Sequence, residues 1–309
     1  MGSVYYGEHL ALARPVAIKI LDAAEQDWSW AIARFMREAR LAAKVRHRNI
    51  VDIYDFGSTP NGVVYIVMEV LHGRDLRAVV KHHRLNWAWS RYLMKQICAG
   101  IEAIHRVGVV HRDLKASNCF YVERNSVVKV LDFGIATTES IGRERPDDGI
   151  RSIVGTPEYM APEQIRGAPA DRRSDVYAAG ILLCELLTGR APFSGRTAEE
   201  VFDLQLHATP PRLTELAADL VVPPGLDGVL ARALAKEPRR RFQSMSELAT
   251  ALDRAGEVSP LRRFFGAGRG PSPAPQLGGE STEDDEAPTK RSLLDRPAAN
   301  SNLRGVGMP

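Results

Sequence analysis

The sequence predicts an α+β fold in which strands come first and helices follow, and three observations carry that expectation. Runs rich in β-branched residues occupy 16–21, 51–56 and 63–70, the last two separated by the turn signal Thr59-Pro60-Asn61-Gly62. From about Arg74 the apolar spacing changes to three and four residues, the period of a helix with one buried face. From Glu257 onward Gly, Pro, Ser and acidic residues dominate, a composition too poor in apolar surface to order itself.

Within the strand-rich part, residues 30–45 carry helical spacing, with Ala31, Phe35, Leu41, Ala42 and Val45 on one stripe. Glu38 lies on that stripe, where a carboxylate is costly without a partner, so a cation from the neighbouring sheet is expected to meet it. A long amphipathic helix is expected over 88–107, with Leu93, Ile97, Ile101 and Ile104 inward and an end near Gly108. The centre of the chain, 111–134, reads HRDLKASNCFYVERNSVVKVLDFG. Its β-like runs 119–122 and 127–131 are joined by turn-prone residues 123–126, which predicts a hairpin. Asp113 and Asn118 then sit near one end and Asp132 at the far end of the second strand, so that all three can face one cavity suited to metal and phosphate. The stretch 135–163 is too long and irregular for a simple connector. Residues 174–187 are apolar nearly all round and predict a helix buried centrally, with shorter helices at 198–207, 226–235 and 246–252.

With 309 residues, 44% of them apolar and 26% charged, the chain can bury a large core. A formal charge of +3 with no compact block of Lys and Arg argues against a nucleic-acid partner. Cys98, Cys119 and Cys184 sit singly in apolar runs, which predicts buried free thiols in a reducing cytoplasm and neither disulfides nor a zinc site. The apolar run at 178–187 is broken by Glu185 and too short to span a bilayer, and the N-terminus lacks a signal-peptide pattern, so membrane insertion is not expected.

Four segments carry a family resemblance: Val16-Ala17-Ile18-Lys19, His111-Arg112-Asp113-Leu114-Lys115 with Asn118, Asp132-Phe133-Gly134, and Ala161-Pro162-Glu163. In this order and spacing they resemble the protein kinase signature, and Gly155-Thr156-Pro157-Glu158-Tyr159-Met160 is similar to bacterial serine/threonine kinases. The resemblance covers residues 2–254. It implies a two-lobed kinase-like fold with a strand-rich N-lobe at 1–71, a hinge at 68–73, a helical C-lobe at 74–256 and a tail at 257–309. It further implies ATP and Mg²⁺ as cofactors, protein substrates carrying Ser or Thr in signalling, and dimerisation for autophosphorylation.

Phosphoryl transfer asks the protein to position groups and neutralise moving charge. By resemblance Asp113 accepts the substrate hydroxyl proton; its plain alternative is a turn-capping Asp. Asn118 and Asp132 supply oxygen ligands to Mg²⁺. Lys19 holds the α- and β-phosphates with Glu38 as partner, although Arg34, one helical turn earlier, offers Glu38 another. Lys115 contacts the γ-phosphate and, with Thr156, favours a Ser/Thr acceptor. Met68, Glu69, Val70 and Leu71 resemble the hinge that meets adenine, with Val4, Ala17 and Phe120 sandwiching the ring. Asp175 holds the catalytic-loop backbone or forms an N-cap pair with Ser174. Glu163 and Arg241 resemble an ion pair tying the activation segment to the C-terminal helices.

The chain departs from the pattern at its start. Gly2, in Met1-Gly2-Ser3-Val4-Tyr5, matches the last glycine of the phosphate loop, and the first two glycines and their strand are absent. Two readings stay open: a true start upstream of Met1, or a pseudokinase or scaffold that binds nucleotide weakly. In the activation segment Arg112 is suited to hold a phosphate, and Thr137, Thr138, Ser140 and Ser152 are candidate acceptors. Ile150 and Asp148 stand where relatives often carry threonines, so Asp148, with Asp147, is expected to replace a phosphate. A small-molecule kinase on the same fold fits less well, because residues 155–163 resemble a segment that seats a peptide.

Overall fold

β-branched and aromatic residues at alternating positions build a four-stranded antiparallel sheet in the order β1-β2-β4-β3, from β1 (Ser3–His9), β2 (Arg14–Leu21), β3 (Ile53–Ser58) and β4 (Val64–Met68). The computed structural model describes residues 3–11, 13–21, 40–41, 43–59, 63–82, 84–132 and 156–256, all within one unit, Met1–Arg269. Gly2, Glu38, Phe133, Gly134, the candidates between 135 and 155 and the tail from 257 lie outside the described residues. Of the expected helix at 30–45, residues 30–39 and 42 also lie outside them; residues 40 and 41 are helical, but 43–45 are not, since the Lys44 N–H closes a turn on Leu41 O at 3.2 Å. The third strand starts two residues later than expected, because the Val51 N–H is taken by Val130 O at 3.1 Å, outside this sheet. The fourth ends at Met68, because the Glu69 N–H turns to Asp52 O at 3.0 Å.

After β4, β5 (Gly73–Asp75) leads into α1 (Leu76–His82) and then α2 (Trp87–Arg106). Asn86 caps α2 by accepting from Trp89 N, and Leu93, Met94, Ile97, Ile101 and Ile104 form its buried stripe. The expected hairpin is present as β6 (Cys119–Val122) and β7 (Val127–Val130), pairing Cys119 with Val130 and Val122 with Val127, and β5 adds a third strand. Ser126 closes the turn with φ 53°. A parallel bridge from Ile50 to Val130 joins the first part of the chain to this second sheet.

The central helix is α3 (Arg172–Thr188), buried at every residue from Ser174 to Thr188 except Glu185. It begins two residues earlier than the expected start, because Asp171 caps it through Arg173 N, and it ends on Gly189 at φ 78°. Around it stand α4 (Ala198–His207), α5 (Leu226–Ala233) and α6 (Met245–Gly256). One core runs from Val64 and Ile66 through α2 and α3 to Leu248 and Leu252, and a smaller one gathers Ala161, Tyr177, Ile181, Phe193 and Leu234. No helix among the described residues is long and apolar enough to cross a membrane.

Candidate active site

The site is assembled on the buried end of α3. Asp175, 1% exposed, accepts from His111 N and Arg112 N at 2.8 Å each, and from His105 Nε2 at 2.7 Å. Burial pushes its pKa up, but the bond and charge of His105 and the His111 N–H outweigh that and leave it below the ordinary aspartate value. Arg112 adopts φ 64°, a left-handed conformation disfavoured for a residue with a Cβ. Its peptide is fixed on both sides, since Arg112 O accepts from Gln164 Nε2 at 3.0 Å. His111 is fully buried; its Nδ1 accepts from Asp113 N at 3.3 Å, so Nε2 carries the proton and donates to Leu131 O at 2.9 Å.

On this floor stand the reactive groups. Lys115 Nζ lies 3.0 and 2.8 Å from the two Asp113 carboxylate oxygens and 2.9 Å from Thr156 Oγ1. Asn118 Nδ2 donates to Asp113 O at 2.8 Å and to Asp113 Oδ2 at 3.0 Å, and Asn118 O accepts from Leu131 N at 2.8 Å. That last bond brings the residue before Asp132 against Asn118. Asp132 has φ 55° and pairs with Lys19 at 2.8 Å, with the lysine side chain 13% exposed. The lysine of β2 and the end of β7 are thereby joined across the two sheets. Among the described residues no cluster of three His, Cys, Asp or Glu side chains offers a metal cage. The donors available to a cation are the amide oxygen of Asn118 and the carboxylate of Asp132, hard oxygen ligands that fit Mg²⁺ completed by phosphate and water.

The residues expected around adenine fall into two groups. Register pairs Val4 with Lys19, and Ala17 with both Tyr6 and Met68, so Val4, Ala17, Lys19 and Met68 share one face of the first sheet. Phe120 lies in β6 opposite Lys129, and Leu71 packs against the main core. Glu69 is used differently. Its Oε1 accepts from Asp52 N at 2.8 Å and pairs with Lys129 Nζ at 2.5 Å, and its N–H goes to Asp52 O, so its backbone carbonyl is the part left to meet a ring. Lys129 also donates to Ile50 O at 3.2 Å.

Several participants escaped the sequence reading. His105, near the end of α2, bonds Asp175 and was not singled out. Tyr159 hydroxyl accepts from Ala116 N at 3.2 Å and donates to Glu185. Burial pushes the Glu185 carboxyl up to about 7, with Arg77 opposing and Glu158 adding to the shift. The Glu163–Arg241 pair is bidentate, at 2.7 Å on both arms, and Ser174 Oγ donates to Glu163 at 2.7 Å. Ser174 therefore serves this pair and is not the helix cap.

A strand-rich lobe and a helical lobe, meeting where Lys19, Asp132, Asn118, Asp113 and Lys115 converge, define the architecture of protein kinases. The chain belongs to the protein kinase domain family, which matches residues 1–251. It is 42% identical over 256 residues to serine/threonine-protein kinase Pkn1 of Myxococcus xanthus, covering 82% of this chain and 36% of that protein. It is 36% identical over 267 residues to serine/threonine-protein kinase PrkC of Bacillus subtilis, covering 85% and 40%. The chain thus spans well under half the length of these two curated relatives. Among solved structures, the PknI kinase domain of Mycobacterium tuberculosis superposes with a TM-score of 0.65 at 28% identity, covering 82% of this chain and 91% of that one. Rad53 1-466 in complex with AMP-PNP superposes with a TM-score of 0.66 at 25% identity, covering 81% and 61%.

Proposed function

We infer that this chain is an ATP-dependent protein serine/threonine kinase. The observation that carries the reading is the chain of contacts Thr156–Lys115–Asp113–Asn118, which puts a carboxylate, a cation and an amide within hydrogen-bond reach of one another on a loop fixed from beneath. Asp113 takes the proton of a seryl or threonyl hydroxyl as that oxygen bonds to the γ-phosphorus and the bond to the β-phosphate oxygen breaks, releasing ADP. Lys115 balances the charge at the γ-phosphoryl group, and Lys19 is offered to the phosphates behind it. Asn118 and Asp132 would hold Mg²⁺, which would supply positive charge to offset that of the phosphates. The residues proposed around adenine are Val4, Ala17, Met68, the Glu69 backbone, Leu71 and Phe120, with Gly2 over the phosphates and Glu38 as an anchor for Lys19. The serine/threonine kinase names of the bacterial relatives and the AMP-PNP complex of Rad53 support the same reading.

The test is transfer of labelled γ-phosphate to a Ser/Thr peptide library by the wild type beside Asp113→Asn. The expected result is transfer by the wild type and a loss of at least about a hundredfold in the variant. Equal signals from both proteins, or nucleotide binding without transfer by either, would overturn the assignment.

A further inference from the structure

A glutamine fully removed from water is costly unless both ends of its amide are hydrogen-bonded. Gln205, on α4, is 0% exposed, and its partners are specific. Its Oε1 accepts from the Tyr177 hydroxyl, which fixes the amide so that Nε2 points the other way. Nε2 donates to Glu158 O at 2.6 Å and to Pro157 O at 3.4 Å. The last turn of α4 is held in turn by Lys236, whose Nζ donates to Gln205 O at 2.7 Å and Leu204 O at 3.3 Å while lying 4.3 Å from the Phe193 ring centre. The carbonyls that Gln205 grips belong to the segment whose other side meets the catalytic loop, through Thr156 to Lys115 at 2.9 Å and Tyr159 to Ala116 N at 3.2 Å. Through Lys115 the segment lies beside Asp113, the group an acceptor hydroxyl has to reach.

We propose that Gln205 is a positioning residue for the protein substrate: by holding the carbonyls of Pro157 and Glu158 it sets the edge against which the acceptor peptide lies. The inference rests on the kinase reading above. The segment does not depend on this amide to stay folded, because Ala161 is buried in the smaller core and Tyr159 packs against it. Loss of the Nε2 donor therefore changes the orientation of two peptide units and leaves the reacting groups, which are anchored on Asp175, where they are. The consequence belongs to peptide binding, not to the chemical step or to ATP.

The test compares Gln205→Met, which keeps the length and removes the donor, with Tyr177→Phe, which removes only the bond at the other end of the amide. In Gln205→Met the peptide KM is expected to rise about tenfold, with kcat and the KM for ATP within about twofold and Tyr177→Phe close to wild type. Amide exchange at Tyr159 and Met160, whose N–H groups bond Thr156 O and Pro157 O, is expected to quicken in Gln205→Met. Should Gln205→Met not fold, the double variant Gln205→Met with Tyr177→Phe serves in its place; it removes the same donor and leaves no buried hydroxyl unpaired. Unchanged peptide KM and unchanged exchange would overturn the proposal, as would equal rises in the KM for peptide and for ATP. A wild type that transfers no phosphate defeats the kinase reading instead, and the exchange comparison still decides whether Gln205 holds the segment.

Discussion

Replacing Arg241 by Met should destabilise the folded chain by about 3–5 kcal/mol, because it strands a buried carboxylate. The Arg241 side chain is 0% exposed and Glu163 10%. All five guanidinium N–H donors are placed: two on Glu163, and the others on Ala235 O at 2.7 Å, Arg173 O at 3.0 Å and Lys236 O at 3.1 Å. Methionine fills much of the stem's volume but loses the guanidinium's charge, its donors and its place 4.8 Å from the Tyr177 ring centre, so the loss is chiefly electrostatic. At about 2–4 °C per kcal/mol for a domain of this size, the melting temperature should fall by roughly 10 °C. The pH dependence gives the signature. Burial raises the Glu163 pKa, but the bonds and charge of Arg241 outweigh it and hold the group below its ordinary value. A depressed carboxyl contributes stability above the unfolded pKa of about 4.3 and loses it as pH falls through the folded value. In Arg241→Met the main depressing partner is gone and burial, the largest influence, is opposed only by the Ser174 bond and a backbone N–H, so the variant loses stability as pH rises instead. The gap between wild type and variant, followed by calorimetry from pH 4 to 8, should be widest at neutral pH and narrow toward pH 4. The double variant Glu163→Gln with Arg241→Met should recover at least half the loss. A gap independent of pH, or a double variant no better than the single one, would refute the reasoning.

Asp175→Asn presents an N–H₂ to at least one of the loop N–H groups of His111 and Arg112, and should lower kcat about a hundredfold with only a few degrees lost in melting; an unchanged kcat would show that the loop does not need this anchor. Glu185, whose pKa is raised to about 7, contributes stability that is full below its unfolded value and lost as pH rises through 7. Glu185→Gln should therefore flatten the melting profile between pH 5 and 8, and a profile parallel to wild type would count against the shift. Burial pushes the Cys98 and Cys184 thiols up to about 12 and raises that of Cys119 as well. Mass spectrometry after alkylation at pH 8 should find all three unmodified in the native protein and all three modified in denaturant.

The floor of the site was legible because it is local. Asp113, Lys115, Asn118 and Asp132 lie within twenty residues on a loop and a hairpin whose alternation and turn chemistry can be read directly. What was missed depends on contacts distant in sequence. His105 and Asp175 are seventy residues apart, and nothing in the helical period of α2 distinguishes an inward histidine from a solvated one. For Glu69 the hinge reading did not reach the side chain, whose carboxylate answers to Lys129 sixty residues on. Asp171 and Ser174 are both good cap formers three residues apart, so the pattern could not say which begins α3. Gln205 lies one turn after Val201 on the buried face of a short amphipathic helix, and only the approach of residues 157–158 shows what its amide holds. Glu38 and the phosphate-loop glycine Gly2, by contrast, remain expectations, since they lie outside the described residues.

The grip of Asp175 on the catalytic loop separates two kinds of change that this chain can accept. The carboxylate rises from a helix with almost no exposed face, so the coordinates of Asp113 and Lys115 are inherited from the interior and not from the cleft surface. Under the proposed function, substitutions at residues 157–158 or on α4 then retune which peptide is accepted, while the loop that carries Asp113 keeps its anchor. On the proposed reading, chemistry is tied to the interior through Asp175 and peptide contact to an exterior held separately by Gln205, so a change at one need not disturb the other.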